Sequence, residues 1–117
     1  MGERIYEIVV TVIEEDGTPF LQYQYGSKGP VNSLSLWVLQ RDRLIWRCPN
    51  HDGEFPFTVH FSPVSPLVQA VVLNNFVREG TIREDVTLGR YKCFVAVHWE
   101  GQVVTDDPDI IVDPRRH

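Results

Sequence analysis

A chain of 117 residues with 43% hydrophobic and 23% charged content has the size of one domain around a single core, spanning 1–117, and is too short for two. Its net charge of −5 excludes the basic face that neutralises phosphates, so nucleic acid is not an expected partner. No apolar run approaches the roughly 20 residues that span a bilayer, and Met1-Gly2-Glu3-Arg4-Ile5 lacks the basic-then-apolar layout of a secretory signal. A cytoplasmic protein without membrane contact is expected.

In chain order, Tyr6, Ile8, Val10 and Val12 alternate with Glu7, Val9 and Thr11, a strand with one apolar face. Glu15-Asp16-Gly17-Thr18 closes it as a turn. From Phe20 to Tyr25, Leu21, Tyr23 and Tyr25 face one way and Gln22 and Gln24 the other. Gly26-Ser27-Lys28-Gly29-Pro30 breaks the chain. Leu34, Leu36 and Val38 alternate with Trp37 and Leu39, Arg41-Asp42-Arg43 turns, and Leu44, Trp46 and Cys48 share the next inward face. Pro49 to Glu54 reads as a loop of turn formers.

Phe57, Val59 and Phe61 oppose Thr58 and His60 in another strand. Ser62-Pro63-Val64-Ser65-Pro66 cannot hold a ladder, because its prolines remove donors. Leu67 to Arg78 fits either a short helix, through Val68, Val71, Val72 and Phe76, or extended chain. The last strands run over Tyr91–Trp99, Gln102–Thr105 and Ile110–Val112, with Gly101 and Asp106-Asp107-Pro108 as breaks. Many short strands and at most one short helix predict an all-β, antiparallel Greek-key sandwich.

Gly89-Arg90-Tyr91 followed by Cys93 resembles the tyrosine corner of sandwich folds, in which a Tyr hydroxyl ties a loop to a strand start. The immunoglobulin family carries it as Asp-x-Gly-x-Tyr-x-Cys. Here Thr87 stands where that family has Asp, and no Cys precedes a core Trp, since Cys48 follows Trp37 and Trp46. Leu44-Ile45-Trp46-Arg47-Cys48, a loop, and Phe55-Pro56-Phe57-Thr58-Val59-His60-Phe61 resemble the central hairpin of the cupredoxins. That likeness implies a copper-protein fold whose first ligand position holds Phe57 and whose ligand-Cys position holds Val95. Met1 is the chain's one methionine, so the usual axial ligand has no counterpart. The resemblance therefore implies a cupredoxin-like sandwich without its copper site. The ending, Val104 to Pro114, is similar to the closing strand of small uncharacterised bacterial β-sandwich proteins.

Metal chemistry has one further set of candidates. Cys93 and His98 lie an odd number of positions apart, so a regular strand sends them to opposite faces. Cys48-Pro49-Asn50-His51 has ligand-like spacing, and His60 or Cys93 nearby would extend it toward a Zn or Cu site. Structural zinc needs four ligands, and a single Cys-x-x-His supplies two. Both cysteines read first as buried small hydrophobes; a bridge between them would suit an exported protein. Asp106, Asp107, Asp109 and Asp113 match no calcium loop and read as charges guarding an edge strand.

Catalysis lacks a pattern. Ser62 and Ser65 sit beside prolines without a nucleophile elbow, and no nucleophile is tied by spacing to His51, His60 or His98. The expectation is a non-enzymatic sandwich without a cofactor, an interaction or structural module whose partner is another protein or a second copy of itself. Edge strands and the hairpin bearing Trp99, the tryptophan expected to be most exposed, are the first surfaces to suspect. The alternative is a small metal-binding protein using Cys48 and His51, with His60 or Cys93. A hydrolase or sugar-binding role would rest on exposed aromatics and loop carboxylates alone.

Overall fold

Two-residue turns set the hairpins. Asp16 and Gly17 adopt φ of 53° and 78° with Glu15 opposite Thr18, the turn whose twist suits right-twisted flanking strands. Glu100 and Gly101, at 46° and 79°, repeat it with Trp99 opposite Gln102. A computed structural model describes residues 3–68 and 79–114. They form β1 (Ile5–Glu15), β2 (Thr18–Tyr25), β3 (Ser35–Val38), β4 (Arg43–Arg47), β5 (Pro49–Asn50), β6 (Gly53–Glu54), β7 (Phe57–Phe61), β8 (Glu79–Thr81), β9 (Gly89–Trp99), β10 (Gln102–Asp106) and β11 (Asp109–Val112). No helix occurs among the described residues, so none there is long and apolar enough to cross a membrane.

One sheet has the order β2-β1-β4-β8; the other has the order β10-β9-β11-β3, with β7 also on β9. β10 and β11 pair with β9 in one continuous register, Asp106 opposite Val95 and Asp109 opposite Lys92. At the join Cys93 N donates to the Pro108 carbonyl at 3.0 Å. Pro108 has no N–H to return, which splits one long strand into two. The sheets are mixed rather than wholly antiparallel, because β1 pairs β4 and β3 pairs β11 in parallel. After β2 the chain lays β3 into the second sheet before returning as β4, and such a crossover lets two strands of one sheet run in the same direction.

The inward faces are those the alternation predicts. Ile8 and Val10, Leu21 and Tyr23, Leu36 and Val38, Leu44 and Trp46, Phe57 and Val59, and Val95 and Val97 all lie in one buried cluster. Each large aliphatic side chain so removed from water contributes about 1.5–3 kcal/mol before the entropy of ordering it. The tyrosine corner is present: the Tyr91 hydroxyl donates to the Thr87 carbonyl at 2.5 Å, and Cys93, two residues on, is buried.

Three features depart from the sequence reading. The loop over 49–54 contains the small β5–β6 hairpin. β8 pairs with β4, and Pro66–Val68 runs beside Thr81–Arg83, with Val68 N donating to Thr81 O at 2.7 Å and Arg83 N to Pro66 O at 2.8 Å. The third is Asp42, 1% exposed. Its Oδ1 accepts from Arg4 N at 3.0 Å and its Oδ2 from Leu39 N at 2.8 Å. A charge can be buried there because backbone donors replace water. The helix-or-extended alternatives over Leu67–Arg78 fall mostly on 69–78, outside the described residues.

Candidate functional site

At one end of the sandwich a groove opens between the start of β1, the turn after β2, and β3. It is lined by Arg4, Ile5, Tyr6, Tyr25, Lys28 and Trp37, with Gly26–Ser27 and Ser35–Leu36, and encloses about 560 Å³. That volume lies within the range of ordinary ligand sites. The strand pattern explains the aromatics. Tyr6 continues the inward row of Ile8 and Val10, and Tyr25 continues that of Leu21 and Tyr23. Both fall where the core ends and stay half-buried. Their rings meet edge-to-face, 6.4 Å apart at 67°, a favoured aromatic geometry.

Local hydrogen bonds fix the rim. The loop after β2 folds back on the strand, with Tyr23 N to Val31 O and Val31 N to Tyr23 O both at 2.8 Å. The Gln24 amide donates to the Lys28 carbonyl at 3.3 Å. Lys28 Nζ then lies 5.5 Å from the centroid of Tyr25, within cation–π range. Across the groove, the bond from Arg4 N to Asp42 pins the backbone of Arg4. The Tyr6 hydroxyl reaches the Trp37 carbonyl at the long distance of 3.5 Å.

The electrostatics are unusual for an acidic chain. Arg41, Arg43, Arg47, Arg90 and Lys92 each pair with a carboxylate. Among the described residues Arg4, Lys28 and Arg83 carry no such pair; Arg4 and Lys28 line this groove, and Arg83 lines another. Its lining holds no Asp, Glu, His or Cys. The arrangement offers aromatic faces, two hydroxyl-bearing serines and two positive charges. It contains no histidine or carboxylate to serve as a general base.

The candidates from sequence lie elsewhere and apart. Cys48 follows β4 in the core; burial, then the Glu54 charge, pushes its thiol up to about 11. His51 is exposed between β5 and β6. His60 is exposed on the outer face of β7, its ring 5.6 Å from that of Phe94. Cys93 is buried on β9, and burial, then the Asp109 charge, pushes its thiol up to about 12. Both cysteines are free. Among the described residues no three His, Cys, Asp or Glu side chains converge as a metal ion requires. Cys93 and His98 take opposite faces, buried and exposed, as their spacing predicts.

Other expectations need correction. Trp99 is half-buried, as Trp37 is, and packs against the core, because it continues the inward row of Val95 and Val97. Asp109 does not guard an edge, since β11 lies between β9 and β3, whereas Asp106 closes β10, the last strand on the other side of that sheet. Asp109 instead sits 2.6 Å from Arg90 and 2.7 Å from Lys92. Burial pushes its carboxyl up, but the Lys92 hydrogen bond and the two cationic charges outweigh that and hold it below the ordinary value. Ser65 Oγ accepts from Leu67 N at 3.1 Å, the role of a turn former.

Two further grooves are less distinctive. One, about 530 Å³, lies on the outer face of β7, β9 and β10 beside His60 and Phe94. The other, about 630 Å³, lies between Pro63–Val68 and Arg83–Asp85, next to the residues outside the description. Sequence reasoning missed the groove at Tyr6 and Tyr25 because both tyrosines satisfy an inward pattern. The available signal was their position at strand ends, with Arg4 and Lys28 close by in sequence. No known family model matches this chain, and no curated protein matches it.

Proposed function

We propose that this protein is a non-enzymatic binding module, a cupredoxin-like or immunoglobulin-like sandwich without a copper centre, that engages a protein partner through the Tyr6–Tyr25–Trp37 groove. One observation carries the reading: two of the three described cations without a carboxylate partner line a single aromatic groove. Tyrosine, tryptophan and arginine side chains are the types that anchor interfaces. Two free, buried thiols suit a reducing compartment such as the cytoplasm. In this reading Phe57 and Val95, at the positions where cupredoxins hold copper ligands, serve the core in which both are buried.

The test is site-specific photo-crosslinking in the cells that make the protein. A photoreactive side chain at Ser27 is expected to trap one discrete partner, while the same group at His51, exposed on the β5–β6 turn, is not. Equal trapping at both positions, or none at Ser27, rules out the groove as a docking site.

A further inference from the structure

We propose that the groove takes an acidic peptide segment in extended conformation, laid beside the edge of β3, with an apolar side chain against Tyr6 and Tyr25 and flanking carboxylates on Arg4 and Lys28. The inference rests on the docking role proposed for this groove. Charge selects the sign of the partner. In a chain of net charge −5, two cations without a carboxylate partner in one groove favour an anionic segment there and repel a basic one. The same net charge disfavours a polyanion, whose many phosphates would meet the acidic remainder of the surface.

Strand geometry selects a peptide and its conformation. β3 is the last strand of its sheet. Asp109 N donates to Leu34 O at 3.0 Å and Asp113 N to Val38 O at 3.1 Å, so alternate β3 carbonyls turn toward β11. Alternation turns the backbone of Ser35 and Trp37 the other way, and both residues line the groove. Tyr6 marks that side by reaching the Trp37 carbonyl. An edge strand beside a pocket is the arrangement in which an added strand supplies main-chain hydrogen bonds and the pocket reads one side chain. Side chains at alternate positions of the guest share a face. The expected pattern is therefore an apolar residue with acidic residues two positions away.

A phage-displayed library of random peptides, selected on the purified protein, tests this directly. Selected peptides are then titrated against wild type, against Arg4→Glu/Lys28→Glu and against Tyr25→Leu, each checked by thermal melting. The charge variant changes exposed side chains and keeps the test alive if Tyr25→Leu does not fold. Acidic peptides with an apolar centre are expected, binding about tenfold more weakly in the charge variant and weakening as salt is raised. Neutral or basic peptides that still require Tyr25 would overturn the acidic-peptide inference and leave the docking role standing. No enrichment, or peptides indifferent to both variants, would overturn both.

Discussion

The Tyr23 hydroxyl donates to Asp106 Oδ2 at 2.7 Å, a bond between residues 83 positions apart that ties β2 of one sheet to β10 of the other. Tyr23 is fully buried, and its hydroxyl would otherwise be an unsatisfied donor inside the sandwich. Tyr23→Phe keeps the ring and removes the bond, and is expected to cost about 1–2 kcal/mol, the range for a bond to a charged acceptor that retains some solvent. Urea unfolding of Tyr23→Phe, Asp106→Ala and the double variant measures the coupling; additive losses would show that the bond contributes nothing.

The same tyrosine and the two buried thiols shape the alkaline side of the stability profile. Burial first, then the Asp106 hydrogen bond and charge, push Tyr23 far above its usual range, and burial raises Cys48 to about 11 and Cys93 to about 12. All three hold protons in the folded state that the unfolded chain releases earlier, so their contribution is complete below the unfolded values. Those values are roughly 8.5 for thiols and 10 for tyrosine. Above them the unfolded state binds fewer protons and stability falls. Unfolding free energy should hold level from about pH 7 to 8 and decline from about pH 9. The decline above about pH 10 should be shallower in Tyr23→Phe. A flat profile through pH 11 would refute the assignment.

Asp42 joins three segments through the turn between β3 and β4. Besides the two amides on its carboxylate, its backbone carbonyl accepts from Ile82 N at 2.8 Å, beyond β8. Asp42→Ala leaves the Arg4 and Leu39 amides without their charged acceptor and should cost about 2–4 kcal/mol. Asp42→Asn keeps one acceptor oxygen and should cost less. Because the Arg4 amide is one of the two, Asp42→Ala should also free the groove's rim, visible as faster amide exchange at Arg4. Unchanged exchange there would limit Asp42 to the turn itself.

Strand faces were legible because a period of two needs only local information. The inward rows read from alternation are buried at their centres, from Ile8 and Val10 to Phe57 and Val59, and half-buried at Tyr6, Val12 and Tyr25. The Asp16-Gly17 turn was legible for the same reason. Pairing direction was not, since the crossover that makes β1 and β4 parallel depends on which sheet receives β3. Asp42 read only as part of a turn, and Asp106 as a charge guarding an edge, because nothing near them in sequence reveals the Arg4 amide or the Tyr23 hydroxyl that each meets. The groove escaped for a related reason: Tyr6 and Tyr25 obey the core pattern, and their partial exposure follows from where the two sheets end.

The tyrosine corner offers a separate measure of how much a local tie adds. Tyr91→Phe removes the bond to Thr87 O and leaves the ring half-buried against the core. With the Thr87 end exposed, the loss should be about 0.5–1.5 kcal/mol, smaller than at Asp42. Chemical denaturation of Tyr91→Phe checks this, and a loss above about 3 kcal/mol would mean that the corner also organises the packing of β9.

The two thiols decide the metal alternative. Each is buried and its thiol pushed up, so at neutral pH both are protonated, and a metal ion or a disulfide reagent would have to reach the core to displace the proton. Folded protein should therefore leave both cysteines unmodified over minutes with an aromatic disulfide reagent, and urea should release both. Addition of Zn²⁺ or Cu²⁺ should leave the melting temperature unchanged, because His51 is exposed on its turn while Cys48 faces the core. A stoichiometric metal that raises the melting temperature, and does so no longer in Cys48→Ser or His51→Ala, would reverse this. It would require Cys48 to leave the core, and the cavity left beside Trp46 would make that rearrangement visible in tryptophan fluorescence.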